Sequence, residues 1–82
     1  MLFYKLNIVF QYLFYNTPSG FKFTLGKLCK QLGFSCGYAF ALFFFRNATF
    51  EAYKFAKQNN LDKRFIYRSG FTKKGTFEYT IL

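Results

Sequence analysis

Lys54, Lys57, Lys63, Arg64, Arg68, Lys73 and Lys74 fall within 21 residues that hold a single acid, Asp62. Phe55, Phe65, Tyr67 and Phe71 stand between them. Lysine and arginine neutralise phosphates, and exposed rings or guanidinium planes stack on bases, so the pattern suits binding of a nucleic acid, RNA foremost. A solvated charged face over a Phe core is the plainer explanation, but such a face ordinarily mixes both signs. This one does not.

Nothing comparable supports catalysis. The chain has no His, the side chain that ordinarily titrates near neutral pH. Its acids, Glu51, Asp62 and Glu78, are isolated, and basic residues near the first two suit surface pairing. Cys29 and Cys36 have no second pair and lack zinc-ligand spacing, so two ordinary buried thiols are expected. Gly20–Lys27 imitates a phosphate loop, but one residue too many separates its glycines and Leu28 stands where Ser or Thr is needed. The expectation is a protein that is not an enzyme, with no cofactor, metal or small-molecule substrate.

The whole composition agrees with a polyanion partner. Twelve Lys and Arg against three Asp and Glu give a net charge of +9 on 82 residues. Fifteen Phe and seven Tyr accompany them. A domain of about 60 residues buries only about 60% of its unfolded surface, while each buried Phe contributes roughly 1.5–3 kcal/mol. Driving force is abundant and interior is scarce, so leftover rings are expected to pack on neighbours in a larger assembly. A/T-rich codons offer another source for the Phe count, but not for the charge asymmetry.

No stretch suits a membrane span of about 20 apolar residues. The uncharged run between Lys5 and Lys22 is broken by Asn7, Gln11, Asn16, Thr17, Pro18 and Ser19, and the run between Lys30 and Arg46 contains Gly33 and Gly37. Asn7 and Gln11 also interrupt a signal-peptide core, and no Arg precedes Arg46, as a transit peptide would require. A protein of this kind working in an organelle is expected to be encoded there. The apolar density of Phe40, Phe43, Phe44 and Phe45 supports the alternative, a small hydrophobic subunit of an organellar membrane complex.

The elements that must position these residues form one domain, with no repeat or linker. Phe3, Leu6, Val9, Phe10 and Leu13 predict an amphipathic helix over 3–14, with a strand through Ile8–Tyr12 as the competitor. Asn16-Thr17-Pro18-Ser19-Gly20 is a turn. Lys22–Leu32 predicts a short helix, weakened by Gly26 and capped by Gly33. From Tyr38 to Asn60 there is no Gly or Pro, and two readings compete. One is a hairpin of Ala39–Phe45 and Thr49–Phe55 turning at Arg46-Asn47-Ala48; the other is a long helix. The Phe43-Phe44-Phe45 run favours the hairpin, because one ring of a helix would face solvent. Phe65-Ile66-Tyr67 and Thr76–Leu82 predict strands joined by a basic loop holding Lys73, Lys74 and Gly75.

In this order the segments resemble the N-terminal domain of the eighth small-subunit ribosomal protein, a universal family. Lys5-Leu6-Asn7 stands where that family ends its first helix in I-R-N, before a strand that leads into P-S-S-K, which Pro18-Ser19-Gly20 resembles. Gly33-Phe34 with Tyr38 matches a G-F/Y-I pattern, and Tyr53-Lys54-Phe55 matches the L-K-Y that closes its two strands. Ile66, Arg68, Ser69, Lys73, Lys74, Gly75 and Tyr79 follow its basic turn loosely. Departures are Leu6 for the Arg of I-R-N, the displaced Lys of P-S-S-K, and Lys74 for a Pro. The family's second domain, with its rRNA-contacting S-T-S-x-G loop, is not expected here. The eleventh small-subunit ribosomal protein is the rival resemblance: its long helix would suit the helical reading of 38–60, but its G-F-K-G-S-R-K segment has no counterpart.

The resemblance implies an α+β fold in α-β-α-β-β order, an antiparallel sheet packed on two helices, and a single rRNA-binding domain over 1–82. It implies a structural constituent of the small ribosomal subunit, in the mitochondrial matrix. The partners would be small-subunit rRNA and neighbouring ribosomal proteins, with a separate chain possible for the missing half. The expected RNA contacts are Asn7, Ser19, Lys22, Lys27, Lys30, Lys54, Arg64, Arg68, Lys73 and Lys74.

Overall fold

The computed structural model describes residues 2–61, 63–73 and 75–82, and only the backbone of Leu2 and Phe3. Helix α1 (Leu2–Asn16) is followed by β1 (Phe21–Thr24), α2 (Leu25–Gln31), α3 (Tyr38–Gln58), β2 (Ile66–Phe71) and β3 (Phe77–Ile81). The strands form one antiparallel sheet in the order β1-β3-β2. The class is α+β.

Helix α1 buries Leu6, Val9, Phe10, Leu13 and Phe14, the stripe that three- and four-residue spacing dictates. It runs unbroken through Ile8–Tyr12, so the competing strand and the strand implied between Asn7 and Pro18 are both absent. The helix stops at the predicted turn, where the Thr17 hydroxyl donates to the Leu13 carbonyl (2.6 Å) and Gly20 takes φ +90°. Residues 21–24 are a strand, not the start of the second helix: Phe21 and Phe23 alternate with exposed Lys22 and pair with Ile81 and Tyr79. Period-two alternation wins over a helical start because both rings then reach the core face.

Gly33 ends α2 as expected. At φ +88°, its N–H donates to the Lys30 carbonyl, and the Phe34 N–H donates to that of Cys29, a Schellman closure that a Cβ would strain. Asn60 (φ +58°) closes α3 in the same way, with Leu61 N–H donating to the Ala56 carbonyl at 2.7 Å.

The hairpin expected over 39–55 is replaced by α3. Phe40, Phe44, Ala48, Ala52, Phe55 and Ala56 are all buried on it, an unbroken three- and four-residue stripe that β pairing would have split between two faces. The small Ala positions let the helix approach its neighbours closely. Phe44 is the hub: it is fully buried and meets the rings of Phe10, Phe23, Phe40 and Tyr79 at 5.0–6.4 Å. Thr49 donates its hydroxyl to the Ile66 carbonyl (3.0 Å) and ties α3 to β2. Phe45, the ring that a helix should expose, stays 39% exposed while packing on Phe77 (4.6 Å).

Arg64 fastens Leu82 to the end of α1. Its Nε donates to the Leu82 carbonyl (2.8 Å), and Nη1 donates to Phe14 (2.8 Å) and Leu13 (3.4 Å) at the end of α1. Those are helix-terminal carbonyls without intrahelical partners. Arg64→Ala is therefore expected to cost about 2–3 kcal/mol, the range for hydrogen bonds from charged donors. Arg64→Lys should recover only part of it, because an ammonium cannot span three carbonyls. Urea unfolding of the three proteins checks this.

Candidate nucleic-acid interface

Helix α2, a six-residue connection and helix α3 lie beside the loop that joins β2 to β3. The outer side of α2 carries Lys27, Lys30 and Gln31, all exposed, while Leu25, Leu28 and Cys29 face inward. The first half of α3 presents Tyr38 (82% exposed), Ala39 and Arg46 to solvent. Neither α2 nor α3 has an acid in its first turn, so nothing neutralises the positive ends of their dipoles.

Basic residues of α2 and of the β2–β3 loop meet in one place. Thr24, Gly26 and Lys27 line one open cleft together with Thr72, Lys73 and Thr76. The loop is shaped by Thr72, whose N–H donates to the Thr76 carbonyl (2.8 Å) and whose carbonyl accepts from the N–H of Gly75 (3.0 Å). Gly75 at φ +80° permits the turn. Two ammonium groups from opposite halves of the sequence thus share one surface. A second, apolar cleft separates α2 and α3 from β3, lined by Leu25, Cys36, Ala41, Phe45, Phe77 and Tyr79 among others.

The expected contact residues divide into unequal groups. Lys27, Lys30 and Lys73 belong to the surface just described. Lys22 projects from edge strand β1 opposite Thr80, midway along the sheet. Ser19 is exposed at the far end, where the N–H of Gly20 donates to the Ile81 carbonyl. Asn7 lines a different groove, between α1 and the second half of α3, together with Lys54 and Glu51. Lys54 pairs with Glu51 (3.2 Å) and lies over the Phe50 ring. Lys74 lies outside the described residues. Arg64 is a correction: its guanidinium is committed to main-chain carbonyls and belongs to the scaffold. Arg68 is exposed, but its guanidinium carbon lies 4.6 Å from the Phe45 centroid and 4.9 Å from that of Phe77. The described part of the basic run, Lys54 to Lys73, is therefore not one face.

Arg46 and Tyr38 are the exposed residues that sequence reasoning missed, because it placed Arg46 in a hairpin turn. Lys5 is also structural: it donates to the Ser35 carbonyl (3.1 Å) and approaches the rings of Phe34 and Phe40, pinning the α2–α3 connection to α1. Cys29 is buried, and that burial, with the Cys36 thiol beside it, pushes its pKa up to about 12. It stays a thiol at neutral pH and is a poor nucleophile or metal ligand there. Cys36 is half-buried, not fully buried as expected.

Among the described residues no helix is long and apolar enough to cross a membrane. No protein-family model, curated protein or solved structure matches the chain.

Proposed function

We propose that the protein binds duplex DNA through a helix-turn-helix formed by α2 and α3, flanked by the β2–β3 hairpin as a basic wing. The observation that carries this reading is the placement of Lys27 on α2 beside Lys73 in the hairpin loop, in a cleft that adjoins, through Gly26 and Thr76, the one lined by Ala41 and Phe45 of α3. In a helix-turn-helix the first helix crosses the phosphate backbone while the N-terminal residues of the second meet base edges in the major groove. Lys27 and Lys30 then serve the backbone on one side, and Lys73 serves it on the other. Tyr38, Ala39 and Arg46 point at the bases. B-form DNA admits a helix in its major groove, whereas the deep, narrow groove of A-form RNA does not. The connection Leu32–Gly37 is longer than the three- or four-residue turn usual in the motif, and Lys5 and the Gly33 closure supply the rigidity that a short turn would give.

Arg46 is the base-reading candidate, since an arginine fork fits guanine O6 and N7 bidentately. Sequences selected from a random duplex pool should share a motif. Arg46→Ala should weaken binding to that motif by about 1–3 kcal/mol while leaving non-specific binding nearly unchanged. Equal loss on every sequence would place Arg46 on the backbone instead.

A structural rRNA-binding role in the mitochondrial small ribosomal subunit is the second reading. It is favoured by the rings left exposed, Tyr4, Tyr15, Phe50 and Tyr53 among them, which a crowded assembly would cover. Its eighth-protein form required the hairpin that α3 replaces; a continuous helix leaves the eleventh-protein form. Co-sedimentation with small subunits, and no preference for duplex DNA over rRNA fragments, would favour this reading over ours.

A further inference from the structure

The loop end of the hairpin holds a stack that phosphate binding does not require. Strand β2 carries one extra residue, Ser69, between Arg68, which pairs with Tyr79, and Gly70, which pairs with Glu78. Its hydroxyl donates to the Glu78 carbonyl (3.3 Å) and accepts from Thr80 (2.8 Å), so the bulge is tied to β3. Bulges re-aim side chains by breaking strict alternation. Here Arg68 and Phe71, three apart in sequence, pair with Tyr79 and Phe77, two apart on β3, and so reach the same sheet face. Phe71 lies against Phe77 (4.9 Å), Phe77 against Phe45 of α3 (4.6 Å), and the Arg68 guanidinium lies over both Phe45 and Phe77. A guanidinium within about 6 Å of a ring centroid is held by the ring's quadrupole.

We infer that Arg68 is a positioning residue that locks the wing to α3, not a phosphate ligand. The inference rests on the proposed duplex-binding role. Phe45 is on α3, one residue before Arg46, and Phe77 begins the strand that leaves the loop carrying Lys73. The stack therefore joins the base-facing helix to the phosphate-facing loop at their roots. Arg68 holds the distance between the two contacts, as a preorganised interface demands.

Salt-dependent binding of Arg68→Lys and Arg68→Met to a 20-base-pair duplex separates the roles, with thermal melts confirming that both variants fold. A positioning role predicts that both lose about five- to tenfold in affinity with the slope of log K against log salt unchanged, because lysine cannot reproduce a planar stack. Retained affinity in Arg68→Lys, with a slope lowered by about 0.9 in Arg68→Met, is the phosphate result and overturns the inference while leaving duplex binding intact. A cycle with Lys73→Ala adds a readout that stability alone would not move. In the Arg68→Met background the Lys73→Ala loss should fall from about fivefold to under twofold, since contacts in one unit are not additive. A full fivefold loss there would also overturn the inference. If the unaltered protein does not bind the duplex at all, the proposed function falls and the inference with it.

Discussion

Phe44→Ala is expected to remove a large share of the stability of this domain. Replacing a fully buried Phe by Ala costs about 3–5 kcal/mol, and Phe44 touches four other core rings from α1, β1, α3 and β3. At about 0.05–0.15 kcal/mol per residue, a domain of this length has roughly 4–12 kcal/mol in total. The melting temperature should fall by at least about 12 °C, at about 4–8 °C per kcal/mol for a domain of this size. Phe50→Ser, at a ring that is 61% exposed, should change stability by no more than about 0.5 kcal/mol. Differential scanning calorimetry of both variants tests whether 38–58 is a helix with one buried stripe. In a hairpin these two positions, an even number of residues apart but on different strands, would carry no such contrast.

The second large effect concerns phosphate contacts. Lys27→Ala/Lys30→Ala/Lys73→Ala should reduce the slope of log K against log salt by about 2–3 units, at about 0.9 per phosphate on duplex DNA. At 0.15 M salt the same loss corresponds to roughly a hundredfold in affinity. Lys63→Ala is the control. It lies beyond the C-terminal end of α3, a helix about 30 Å long at 1.5 Å per residue, and its removal should leave the slope unchanged. Fluorescence anisotropy between 50 and 300 mM salt measures both.

Much of the scaffold was legible in the chain, for local reasons. The stripe of α1, the Pro-Ser-Gly turn, the Gly33 closure and the last two strands each rest on periodicity or on a residue whose backbone preference is strong. Helix α3 was harder, because Phe43-Phe44-Phe45 has strand propensity and leaves a ring partly in solvent as a helix. What decides the matter is tertiary: Phe44 is enclosed by Phe10, Phe23 and Tyr79 from three other elements, while Phe45 stays 39% exposed beside Phe77 and Arg68. The site was legible only in its chemistry. A run of basic residues shows that phosphate is the expected ligand, but not which of them are already spoken for. Arg64 is spent on carbonyls and Lys54 on Glu51, while Lys27, far from the run, joins Lys73. The order β1-β3-β2 makes that meeting, and no spacing in the sequence expresses it.

Mapping the contact surface by amide chemical shifts on titration with duplex DNA tests the central claim most directly. The account predicts shifts concentrated in three places: Lys27–Gln31 on α2, Tyr38–Arg46 on α3, and the loop 72–76, with residues 53–61, at and just beyond the end of α3, unmoved. Shifts confined to the groove of Asn7, Glu51 and Lys54, with α2 and the loop silent, would contradict it.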